Sequence, residues 1–184
     1  MGDPRKTRSK FQGPRHPWNK ERIEKEKELS RTYGLTNKKE LWKAESKLKT
    51  FKDNAKQLLA RTDAQSEKEL KQLYKKLQNL NLAAQEVSAD DILGLQTEAL
   101  LERRLQTLVF KKELARSIKQ ARQFITHGHI FVSGKKMTVP GYLVPVNEES
   151  QIEFNNNSSL FSADHPERAV QQTGAGKREE AKRE

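Results

Sequence analysis

Residues 117 to 136, SIKQARQFITHGHIFVSGKK, decide the fold, because the hydrophobic period changes partway along them. Ile118, Ala121, Phe124 and Ile125 recur at helical spacing, and Lys119, Arg122, Gln123, Thr126 and His127 occupy the other side of the same helix. Ser117 is placed to cap its start, and Gly128 to end it in the left-handed conformation. After the glycine the period falls to two. Ile130-Phe131-Val132 reads as a strand, Ser133-Gly134-Lys135-Lys136 as a tight turn, and Met137-Thr138-Val139, Tyr142-Leu143-Val144 and Gln151-Ile152-Glu153-Phe154 as further short strands. The polar helix face carries cations and amides and is almost free of carboxylates, so one side packs while the other presents hydrogen-bond donors.

Just upstream, Thr97 is predicted to cap a helix bearing Leu101, Leu105 and Leu108, with Arg103 and Arg104 beside the stripe and Lys111 and Lys112 beyond its end. From Leu101 to Lys136 nine Lys and Arg residues are opposed only by Glu102 and Glu113. From Met137 to Glu184 the balance reverses, with five basic residues against eight acidic ones. The positive charge is local, centred on the paired helices and the turn.

The N-terminal half is helical. Residues 18 to 33 read as a charged helix stopped by Gly34. Asn37 and Glu40 have capping-box spacing ahead of Leu41, Ala44, Leu48, Phe51, Ala55 and Leu58. Ser66 and Glu69 have it ahead of Leu70, Leu73, Leu77 and Leu80. Two such stripes joined at Thr62-Asp63-Ala64-Gln65 make an antiparallel helical hairpin. The first of the two carries Lys39, Lys43, Lys47, Lys49, Lys52, Lys56 and Arg61 around its polar arc. Residues 87 to 95 read as a connector that packs. Ahead of the helices, residues 1 to 20 form a basic arm kept extended by Pro4, Gly13, Pro14 and Pro17, in which Arg5, Lys6, Arg8, Lys10, Arg15 and Trp18 are candidate nucleic-acid contacts. Residues 155 to 184 are too poor in apolar groups to offset their ordering entropy and read as a flexible tail. The expected organisation is an arm (1–20), a helical domain (21–100), a compact α+β domain (101–154) and the tail (155–184).

Composition limits the function. The chain has 184 residues, 36 Lys and Arg against 25 Asp and Glu, a net charge of +11 and no cysteine. Clustered cations of that number call for a polyanion, first a nucleic acid and second an anionic membrane surface. A disulfide framework and a thiolate metal site are excluded, and histidines at 16, 127, 129 and 165 do not replace one. No cofactor and no structural zinc are expected. No apolar run has the roughly 18 residues of a membrane span, which predicts a cytoplasmic protein.

At this point the residues resemble a known family. Leu101-Glu102-Arg103-Arg104-Leu105, the stretch from Ser117 to Ile125, His127-Gly128-His129-Ile130, and Val132-Ser133-Gly134-Lys135-Lys136 followed by Pro140 resemble the RNA-binding domain named after ribosomal protein S-four of the small subunit. Gly2-Asp3-Pro4-Arg5-Lys6 and Pro14-Arg15-His16-Pro17-Trp18 resemble the archaeal and eukaryotic branch of that family. The resemblance covers residues 2 to 154. It implies a primary binder of small-subunit ribosomal RNA that helps nucleate subunit assembly and supports translational accuracy. It also implies a place in the cytoplasmic ribosome near the channel through which messenger RNA enters, beside a protein of the S-five family.

By matching position the resemblance assigns RNA contact to Arg104, Lys111, Lys112, Arg116, Ser117, Lys119, Gln120, Arg122, Gln123 and Lys135; the guanidinium chemistry of Arg104 and Arg122 suits bidentate phosphate clamps. The sequence departs from the family where Lys112-Glu113 replaces a frequent glycine, where Gly141 follows Pro140 in place of a frequent serine, and in lacking the cysteines of some bacterial members. An enzyme is not expected. The six aspartates lie in connectors or charged helices, and no glycine-rich nucleotide-binding unit is present. The alternatives are a non-ribosomal assembly or stress factor using the same RNA-binding domain, and a helical scaffold whose basic face meets acidic proteins or membranes.

Overall fold

A computed structural model describes residues 9–61, 63–83, 89–162, 165 and 167. The chain divides into two compact units, one ending at Leu101 and the other starting at Glu102.

In the first unit, helix α1 (Lys20–Thr32) opens at Asn19, whose side chain accepts the Arg22 amide, and it ends just before Gly34 at φ +59°. Helices α2 (Lys38–Leu59) and α3 (Ala64–Asn79) pack as the hairpin, and α4 (Ala89–Gly94) lies against α2. The apolar stripe closes as expected. Leu41, Leu48, Phe51 and Ala55 of α2 are buried with Leu73 and Leu77 of α3 and Ile92 of α4. Two helix starts depart from the capping pattern. Asn37 makes no side-chain cap bond, and Thr36 instead donates its hydroxyl to Glu40 at 2.9 Å. Helix α3 starts before Ser66, with Asp63 in the cap position. Ser66 is therefore buried inside the first turn, donating to the carbonyls of Arg61 (3.1 Å) and Asp63 (2.6 Å).

The described part of the arm is docked. The Phe11 ring lies 6.0 Å from Trp42, the Gln12 amide donates to Ser46 Oγ (2.9 Å), and Lys49 donates to Gln12 Oε1 (3.2 Å). Beneath Trp42, the buried Glu26 carboxylate accepts the indole N–H (3.0 Å) and pairs with Arg22 and with Lys38 (3.1 Å). Burial pushes its pKa up, but the bonds from Trp42 and Lys38 and the Arg22 charge outweigh that, leaving it below the usual carboxylate value.

In the region that carries the decisive motif, the single helix predicted after Thr97 is two: α5 (Thr97–Glu102) and α6 (Leu105–Lys111). The break lies at Arg104, which is extended and forms a bridge with Leu143. Leu105 N–H donates to the Tyr142 carbonyl (2.8 Å) and Val144 N–H to the Arg103 carbonyl (3.0 Å). Tyr142 to Val144 is thereby used as a clasp on the helix junction and not as a sheet strand. Helix α7 (Ile118–Thr126) follows, capped at Ser117 and ended by Gly128 at φ +76°.

Strands β1 (Ile130–Val132), β2 (Lys135–Lys136) and β3 (Ile152–Phe154) form an antiparallel sheet in the order β2-β1-β3. Ser133 (φ +52°) and Gly134 (φ +72°) make the two-residue turn whose positive dihedrals match the twist of the flanking strands. Met137 adds one bond to Ile130 and the chain then leaves the sheet, so 137–139 is not a strand. A short helix α8 (Val146–Glu149), not foreseen, precedes β3. The core joins Leu105, Leu108 and Val109 of α6, Ala121, Phe124 and Ile125 of α7, Ile130, Val132, Val144, Ile152 and Phe154. Leu160, in a 3-10 turn over Ser159–Phe161, also enters this core, so the ordered fold runs past Asn155, where the flexible tail was expected. Residues 168–184 lie outside the described residues.

Candidate nucleic-acid interface

Helix α7 presents the polar face that its periodicity predicts. Ser117 Oγ accepts the Gln120 amide (3.2 Å), and Gln120 Oε1 accepts the Arg116 amide (2.8 Å), so the first turn is closed by its own side chains. Arg116, Ser117, Lys119 and Gln123 are exposed, and Gln120 and Arg122 are half-buried. Gln120, Gln123 and His127 follow one another at spacings of three and four, which places them on one ridge of the helix and its C-cap, and Arg116, just ahead of the Ser117 cap, lies beside Gln120. From Ser117 to His127 the helix carries no carboxylate.

The angle of this face is set from behind by a residue that sequence reasoning passed over. Gln106, fully buried on α6, donates Nε2 to the Ile118 carbonyl (3.0 Å) and accepts Arg122 Nη1 on Oε1 (3.3 Å). One side-chain amide thus ties α6 to the start of α7 and holds the Arg122 guanidinium. Its signal was weak, since a glutamine beside Leu105 and Leu108 has no reason to be buried until α6 is known to be buried from Leu105 to Val109.

The other predicted cations divide by circumstance. Arg104 is only 6% exposed, which places it in the frame behind the face instead of on it. Lys112 donates to the Glu149 backbone carbonyl and is half-buried. Lys111 forms a solvent-exposed pair with Glu102 at 3.3 Å, a contact of small energetic value that a phosphate can replace. Lys135 is exposed on β2, beside the turn. Lys136, absent from the predicted set, lays its stem across Gly128, where a Cβ would overlap its Cε.

His129 is half-buried, with Nδ1 2.7 Å from Ser158 Oγ and its ring edge-on to Phe124. Burial, followed by the charges of His127 and Lys136, holds its pKa below the ordinary imidazole value.

The arm residues belong to the first unit. Arg5, Lys6 and Arg8 lie outside the described residues. Lys10 lines a cleft of about 350 Å³ with Lys43 and Lys47 of α2. Burial, and then the nearby Lys76 charge, pushes the Lys47 pKa down. Arg15 is exposed, and Trp18 stands 91% exposed at the approach to α1, a bare aromatic face of the kind on which a base stacks. Among the described residues no group of His, Asp and Glu could hold a metal ion, and no helix is long and apolar enough to cross a membrane.

Comparison with known proteins agrees with this architecture. Residues 103–150 match the S4 domain family. The chain is 53% identical over 169 residues to Small ribosomal subunit protein uS4 of Methanococcus aeolicus, covering 91% of this chain and 96% of that protein. It is 51% identical over 171 residues to the protein of that name from Methanococcus maripaludis, with coverage of 92% and 96%. The corresponding Methanococcus vannielii protein is 50% identical over 171 residues, with the same coverage.

Proposed function

The chain belongs to the small ribosomal subunit protein uS4 family, and on that premise we propose that it is a structural, non-enzymatic component of the small ribosomal subunit that grips folded small-subunit ribosomal RNA. The observation that carries this reading is the α7 face. Lys119, Gln120 and Gln123 stand on, and Arg116 just ahead of, a helix whose start is capped by Ser117 and whose angle is fixed by the buried Gln106, with no carboxylate of its own.

Folded RNA brings phosphates of different strands close together. A rigid surface with donors one helical turn apart bridges several of them, and the shape is recognised more than the base sequence. Arg122, half-buried against Gln106, gives a pre-oriented guanidinium, and Lys119, Lys111 and Lys135 act as point charges around it. The docked arm, with Lys10, Arg15 and Trp18, supplies a second group of contacts, and Arg5, Lys6 and Arg8 extend it.

In this reading the protein binds early, helps nucleate assembly, and sits in the cytoplasmic ribosome near the path of incoming messenger RNA, beside the S-five family member, where it supports translational accuracy.

The test is binding of the full chain to a small-subunit ribosomal RNA fragment and to a duplex of equal length, across a salt series. Preference for the folded fragment is expected. If about six phosphates are neutralised, affinity falls by roughly a thousandfold between 50 and 200 mM salt, a scale taken from DNA. Equal affinity for the two RNAs would remove shape recognition from the account.

A further inference from the structure

Helix α7 carries no acidic residue, yet one carboxylate reaches its polar face from elsewhere in the second unit. Glu167 Oε2 accepts Arg116 Nη2 at 2.9 Å and Gln120 Nε2 at 2.7 Å. The two donors are held as a pair, because the other atom of the Gln120 amide, Oε1, accepts the Arg116 backbone N–H at 2.8 Å. Ser117 fixes the Gln120 backbone in turn. On the other side, the Glu167 amide donates to His165 Nδ1 at 3.2 Å. Each partner of the contact thus makes a further hydrogen bond.

A guanidinium and a side-chain amide converging on one anionic oxygen form a seat for an oxyanion, and a carboxylate and an RNA phosphate present the same kind of oxygen to it. The strength of the contact suits exchange. The Arg116 and Glu167 side chains remain 41% and 46% exposed, so water screens the pair and it adds little to folding stability. Its position is what gives it meaning, since both donors lie at the start of the face proposed above to meet RNA.

We infer that Glu167 is a built-in competitor: in the free protein its carboxylate occupies the Arg116–Gln120 phosphate seat, and an RNA phosphate must displace it. This rests on the RNA-binding reading above and deepens it. An RNA that also engages Lys119, Gln123 and Lys135 can displace one carboxylate at small cost. A polyanion that meets only the Arg116–Gln120 seat competes with an intramolecular ligand that is always at hand. The acidic excess after Met137 thus has one defined role, in addition to its bulk effect on charge.

The test compares full-length wild type, E167Q, R116A and the E167Q/R116A double variant for binding to the small-subunit ribosomal RNA fragment at fixed salt. E153Q, which removes an exposed carboxylate on β3, serves as the control for net charge. E167Q is expected to tighten binding about threefold to tenfold, the range of a charge-assisted contact that is partly screened. E153Q should change it less than about twofold, and the gain from E167Q should vanish in the R116A background. Three outcomes overturn the proposal: a gain from E167Q no larger than that from E153Q, a gain that persists undiminished without Arg116, or a lower urea midpoint for E167Q with unchanged affinity, which makes Glu167 a structural clasp. Wild type that binds neither the fragment nor the duplex would instead overturn the RNA-binding reading itself.

Discussion

Arg103 and Arg104 lie in the same basic run as Arg116 and Lys119, but the fold treats the two pairs in opposite ways. Arg103 is 6% exposed, donating to Glu149 at 2.8 Å and to the Val144 carbonyl at 2.9 Å, and Arg104 beside it is equally buried. Arg116 and Lys119 stand outside on the capped start of α7. Charge sign along the sequence is the same in both places. What differs is the acceptor supply. The clasp formed by Tyr142–Val144 and the adjacent α8 bring a carbonyl and a carboxylate to Arg103, whereas α7 offers nothing acidic of its own to Arg116 and Lys119. Arg103, with acceptors built around it, holds the domain together, whereas Arg116, paired with the half-exposed Glu167, and Lys119 stay at the surface.

That contrast can be broken most strongly at Arg103. Arg103→Met removes two charge-assisted hydrogen bonds from a buried site and should lower unfolding free energy by about 2 to 3 kcal/mol in urea titration. Under conditions where the variant stays folded, its RNA affinity should match wild type. The converse change, Lys119→Ala, should leave stability within about 0.5 kcal/mol. It should cost about 1 kcal/mol of RNA affinity and reduce the salt slope by about one, read from filter binding at several salt concentrations. If the two substitutions gave the same pattern, the division between framework and interface cations would collapse.

A smaller effect sharpens the comparison at the turn joining the two regions. Glu113 adopts φ +59° just past the end of α6, a left-handed position that favours glycine, and it is here that Lys112-Glu113 departs from the family resemblance. Glu113→Gly should raise stability by about 0.5 to 1 kcal/mol, the strain relief exceeding the added chain entropy. A loss of stability would show that the Glu113 side chain contributes more than its backbone costs.

The helical unit has its own enclosed charge, and its sign of pH dependence follows from its partners. Glu26 has a folded pKa below the reference value of 4.5, so its stabilisation is fully present above 4.5 and is lost as pH falls through the lowered folded value. Glu26→Gln should therefore flatten the acid limb of the urea midpoint against pH below 4.5. An unchanged limb would mean that other carboxylates govern acid unfolding.

Sequence reading succeeded where the cause was local. Ser117 as cap and Gly128 as stop depend on a few adjacent residues and form as expected, and the turn predicted over Ser133 to Lys136 forms on Ser133-Gly134 alone, with Lys135-Lys136 paired as β2. It failed where a distant segment decides the outcome. Leu101, Leu105 and Leu108 keep helical spacing straight through Arg103-Arg104, so nothing nearby announces the break that Tyr142–Val144 imposes. Ser66 reads as the cap, but the helix starts earlier, at Asp63, whose side chain makes no cap bond, and the Ser66 hydroxyl closes the preceding turn. For the candidate site, the residue types on α7 were legible from their period. The buried Gln106 behind them and Glu167 across from them were not, because their partners lie 12 or more positions away in the chain.

The central claim is that folded ribosomal RNA lies against the α7 face and not against the clasp that encloses Arg103. A photoreactive amino acid placed at Lys119 in one full-length variant and at Glu148 in another, each irradiated in complex with the small-subunit ribosomal RNA fragment, tests it directly. Strong cross-linking from position 119 with little from position 148 is the predicted result. Cross-linking from position 148 alone, or equally from both, would contradict it.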